Sequence, residues 1–123
     1  MFSNKIFTVV RRLFQMTQEN KLEWQETGRD GVFQIVIDEY IVRVAEELGE
    51  DAKAVPKYVL RICNAKGIVL EQVSNLDISE RMMDAEEFMH DLYQRARRTA
   101  MGAETALDRI ILRLEADEAE VAS

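Results

Sequence analysis

Near the start of the chain the apolar positions recur at helical spacing. Phe2, Ile6, Val9, Val10 and Leu13 fall on one side of a helix, and Lys5, Arg11 and Arg12 interrupt the run. The pattern predicts an amphipathic helix from Ser3 to Asn20 with Ser3 as its N-cap. A signal peptide needs an unbroken apolar centre, which these charges deny. A basic amphipathic helix can lie on a membrane surface. One apolar face is also all that a small domain needs to dock a helix on its own sheet, and that simpler reading is preferred.

The period then changes. Leu22 to Glu26 and Val32 to Asp38 alternate or run apolar, with Gly28 and Gly31 marking a turn between them. In Tyr40 to Leu48, one face carries Tyr40, Val42 and Val44 and the other Ile41 and Arg43. A polar loop follows, with Gly49, Glu50, Asp51 and Pro56. Lys57 to Asn64 alternates in the same way, and Ala65-Lys66-Gly67 reads as a hairpin turn into Ile68 to Ser74. Alternating strands joined by short loops predict an antiparallel meander of four to five strands. Several strands carry apolar residues on both faces. Which face is covered stays open, and the two-sidedness points towards a homodimer.

After Leu76 the helical period returns. Asp77 and Glu80 have capping-box spacing, with Asp in place of the usual Ser or Thr. From Glu80 to Thr99 one stripe holds Met82, Ala85, Met89, Leu92 and Ala96, until Gly102 interrupts it. A second stripe, Leu107, Ile110, Ile111 and Leu114, predicts a helix from Ala103 to Glu115, and residues 115–123 read as a frayed acidic tail. The expected fold class is α+β. One domain over residues 1–114 has an N-terminal helix, the meander, and two C-terminal helices packed on the sheet.

Composition narrows the classes. Of 123 residues 47% are hydrophobic, too many for disorder, and one Pro with five Gly are too few for a linker. A single cysteine excludes an internal disulfide, and no apolar run approaches the ~20 residues that span a bilayer. The expectation is a small cytoplasmic domain.

Groups that carry chemistry are scarce. His90 is the only histidine, and none of the four serines lies in a nucleophile elbow. Cys63 and His90 form the only possible thiol–imidazole pair, yet Cys63 lies mid-strand among apolar neighbours, the setting of an inert structural thiol. Glu86 and Glu87 precede His90 at helical spacing, but a di-iron site needs that motif twice, so a solvated acidic face is preferred. The glycines are too dispersed for a phosphate-binding loop. No cofactor or metal is expected, and catalysis by Cys63 or His90 ranks third among the functional readings.

Charge distribution says more. The net charge is −7, with 16 Lys and Arg against 23 Asp and Glu. Residues 1–21 carry +3, residues 22–92 −9, residues 93–113 +3 and the last ten −4. Arg95, Arg97 and Arg98 form the basic cluster, with Tyr93 nearby as a stacking surface. Joined by Arg11 and Arg12 they would make a nucleic-acid patch, the second reading, but the acidic domain disfavours it. Arg95 and Arg98 share a helix face and Arg97 points away from Arg95, which favours internal pairing or a protein interface. Trp24, the sole tryptophan, belongs to the core edge or a binding surface. Met82, Met83, Met89 and Met101 are read as core, with a partner groove as the alternative.

Two stretches carry a resemblance. Tyr58 to Glu71 (YVLRICNAKGIVLE), and Leu92 to Gly102 (LYQRARRTAMG) with Ala106 to Ile111 (ALDRII), resemble small bacterial proteins to which no activity is attached. In that group a Trp-containing hairpin precedes a hydrophobic meander and an Arg-rich C-terminal helix. The resemblance covers Phe14 to Leu114 and implies a bacterial cytosolic α+β domain. It carries over no catalytic residue. The leading expectation is a non-enzymatic interaction or regulatory module binding a protein partner or itself, through Tyr93, Arg95, Arg97, Arg98, Met101 and Trp24.

Overall fold

Ile6, Val10, Leu13 and Thr17 are spaced to line one side of a helix, and all four are buried in α1 (Asn4–Gln18). Asn20 ends that helix in the left-handed region (φ 58°), where Lys21 N–H donates to the Met16 carbonyl. The computed structural model describes residues 4–47 and 56–122. The expected N-cap Ser3 and the loop at Gly49, Glu50 and Asp51 lie outside the described residues.

The meander is present with five strands: β1 (Gln25–Glu26), β2 (Val32–Ile37), β3 (Tyr40–Glu47), β4 (Lys57–Cys63) and β5 (Val69–Ser74). They pair antiparallel in chain order. The first strand is shorter than its sequence pattern because Trp24 leaves the strand for the core. Its ring is 2% exposed, and its Nε1–H donates to buried Thr17 Oγ1 at 3.0 Å. At the β4–β5 turn the Asn64 carboxamide accepts from Lys66 and Ile68 N–H, and Gly67 takes φ 82°.

The two-sided strands resolve through register. Phe33 pairs with Val44, Val44 with Leu60 and Leu60 with Val73, and these side chains meet the helices. The other face carries the row Gln34, Arg43, Arg61, Gln72, one residue from each of β2 to β5. Arg43 Nε–H donates to Gln34 Oε1 at 3.2 Å, and Arg61 Nε–H to Gln72 Oε1 at 2.9 Å while the same guanidinium pairs with Glu47. The glutamines and Glu47 tether two arginines that stand directly opposite each other.

The helix expected over 80–99 starts later, at Ala85, and a separate short helix precedes it. A short α2 (Asn75–Ile78) begins at Ser74, whose Oγ accepts from Asp77 N–H while the Asp77 carboxylate accepts from Ser74 N–H. The capping box is therefore Ser74 with Asp77, three residues earlier than Asp77 with Glu80, and it has the serine cap that this motif ordinarily uses. Buried Asn75 locks α2 to the sheet by accepting from Tyr58 N–H at 2.9 Å. Then α3 (Ala85–Ala100) buries Ala85, Met89, Leu92, Tyr93 and Ala96 on the sheet. Phe14 of α1 stacks on Phe88 of α3, with ring centroids 4.3 Å apart.

Two expectations about the C-terminus are corrected. The acidic tail is the continuation of α4 (Ala103–Ala122), since Ala and Glu favour helix and no Gly or Pro follows Gly102. And α4 does not lie on the sheet as α3 does: Leu107, Ile110, Ile111 and Leu114 are 47–62% exposed. Gly102, at φ 70°, turns the chain away between the two helices. Among the described residues no helix is long and apolar enough to cross a membrane.

Candidate interaction surface

Tyr93 anchors the surface from beneath. Its ring packs between Phe33 and Tyr58, with centroids 5.7 and 5.6 Å away. Its phenol is pushed up from the ordinary tyrosine value, first by burial and then by Glu46, with Arg97 opposing. The hydroxyl reaches a hollow of about 300 Å³ that Arg29, Gly31, Arg97 and Met101 help to line. Gly31 stands there at φ 74°, and a Cβ on it would lie 3.6 Å from the Tyr93 hydroxyl.

The arginine cluster separates by role. Arg95 donates to Asp91 one turn earlier at 3.0 Å, and Arg98 donates to Glu104 across the α3–α4 joint at 2.7 Å. Arg97 is exposed and has no ion pair among the described residues. Met101, half exposed, follows it at the joint. Trp24 leaves the surface altogether, since its ring is buried and its indole N–H is already bonded.

Arg11 and Arg12 do not join the cluster. Arg11 lines a separate hollow of about 420 Å³ with Phe7, Arg81, Met82 and Phe88. The Phe14–Phe88 stack sets α1 beside the start of α3, and Arg97 lies nine residues beyond Phe88, ~13 Å along the axis. The methionines divide as well: Met89 is buried in the core, whereas Met83 is fully exposed.

Cys63 and His90 are separated by the sheet. Cys63 is buried on the face that carries Arg43 and Arg61, whereas His90 bonds through Nδ1 to the hydroxyl of Tyr58 on the helix side. Tyr58 is pushed up to about 12, first by burial and then by Glu46 and Glu86. Among the described residues no three His, Cys, Asp or Glu side chains are grouped to hold a metal ion.

What sequence reasoning missed is the exposed stripe of α4. The stripe Leu107, Ile110, Ile111 and Leu114 predicts a helix packed on the sheet because an apolar helical stripe ordinarily faces a core. The available signal was the glycine just before it, with the switch from basic to acidic charge along it. No protein-family model, curated protein or solved structure matches this chain.

Proposed function

We propose that this protein is a non-enzymatic interaction module whose binding element is α4 with the adjoining end of α3. One observation carries the reading: a 20-residue helix leaves the body with its apolar stripe in solvent. Helices in proteins owe most of their stability to packing an amphipathic face, and about half of this face is left open to solvent. Four half-exposed aliphatic side chains offer roughly 1 kcal/mol each on burial, enough to drive association. Arg97 and Met101, residue types enriched at interfaces, extend the same surface.

A photo-reactive amino acid placed at Ile110 or at Arg109, in the cells that make the protein, tests the proposal. Ile110 points along the stripe, and Arg109 lies about 100° round the helix from it, off the stripe. Protein adducts at 110 and none at 109 are expected. Equal labelling at both positions, or none at either, sinks the reading.

A further inference from the structure

We infer that the occupant of the α4 stripe is the same stripe of a second copy of this chain, the two helices running antiparallel. This rests on the interaction reading above and names its partner. The argument is charge complementarity between the two ends of the surface. At its beginning Arg97 has no ion pair among the described residues, while Arg98 beside it is already paired with Glu104. Its far end is acidic, with Glu115, Asp117 and Glu118 and only Arg113 to offset them. A parallel pair would set Asp117 against its own copy. The antiparallel pair runs the acidic end of each α4 towards the partner's α3–α4 joint, and Arg97 stands close to that joint, in the last turn of α3.

The apolar residues accept this arrangement. Counting Leu107 and Leu114 as heptad position a puts Ala103 and Ile110 at d. An antiparallel register then sets Leu107 against the partner's Ile110 and Ala103 against the partner's Leu114, pairing small with large. Ile111 flanks the seam opposite the partner's Glu104. Leu112 points away from the seam, and the Arg113–Asp117 pair closes it. A seam from Ala103 to Leu114 is ~18 Å long. That places the contact at the small end of specific interfaces, so association in the micromolar range is expected.

Cysteine cross-linking decides both partner and direction. Ala103→Cys and Leu114→Cys are made separately on the full chain, whose Cys63 is buried. Under mild oxidation the equimolar mixture should give a disulfide-linked dimer and neither variant alone should. Each variant linking to itself overturns the antiparallel direction. A chain that sediments as a monomer up to millimolar concentration overturns the self-pairing. If position 110 then still captures a different protein in cells, the interaction reading survives; if it captures nothing, both fall. Arg97→Glu should weaken self-association about tenfold or more, and adding Glu118→Arg should restore it. Unchanged association in Arg97→Glu removes the charge argument. Far-UV circular dichroism checks that each variant is folded.

Discussion

Replacing Thr17 with valine tests how Trp24 is held inside the molecule. Both side chains are 2% exposed, and the bond from the indole Nε1–H to Thr17 Oγ1 is 3.0 Å long. Valine keeps the shape of threonine and removes the acceptor, leaving a buried N–H unpaired. The expected cost is about 1–3 kcal/mol, the desolvation penalty of an unmet donor. In a chain of this size each kcal/mol lowers Tm by roughly 3–6 °C. Trp24→Phe removes the donor, adds a cavity and leaves a hydroxyl that can rotate to another acceptor. In the double variant the Thr17→Val change should cost less than it does alone, because no indole N–H remains to be stranded. Urea unfolding followed by far-UV circular dichroism measures all four corners of the cycle. Strict additivity, or a Thr17→Val cost below about 0.5 kcal/mol, would refute the claim that this hydrogen bond fixes Trp24.

Three further outcomes follow from single contacts. Ser74→Ala removes the cap of α2 and half of its capping box, and urea titration should show a loss of about 1 kcal/mol. Gly31→Ala forces a side chain into the left-handed region at φ 74° beneath the Tyr93 hydroxyl; a stability loss of about 1–2 kcal/mol is expected, and no loss would contradict the backbone geometry. The fold holds Tyr58 protonated to about 12, above its ordinary 10.0, so the unfolded chain releases that proton first. Stability from this group is complete below pH about 10 and falls as pH rises through about 12. Urea midpoints measured across that range should decline, less steeply in Tyr58→Phe; an equal decline in both would refute the assignment.

Local rules acting on neighbouring residues made most of the fold legible in the sequence. Alternation in Val32 to Ile37, Tyr40 to Glu47 and Lys57 to Cys63 marks strands because successive side chains point to opposite faces. The stripe Ala85, Met89, Leu92 and Ala96 marks α3 because residues four apart share a helix face. Short turns at Asp38–Glu39 and Asn64–Gly67 leave adjacent antiparallel pairing as the only economical topology.

Tertiary structure decided what the same residues do to one another across the chain. Periodicity cannot say which face of a two-sided strand meets the helices. Packing puts Leu60 and Val44 against α3 and leaves Arg43 and Arg61 to the opposite face. Nor does a sequence pair Trp24 with Thr17, or separate Arg97 from its paired neighbours Arg95 and Arg98, since each depends on where a second element lies. The α4 stripe is the clearest case. An apolar face specifies that burial is favourable but not what provides it, and the left-handed turn at Gly102 carries that face off the sheet, out of reach of the core it resembles.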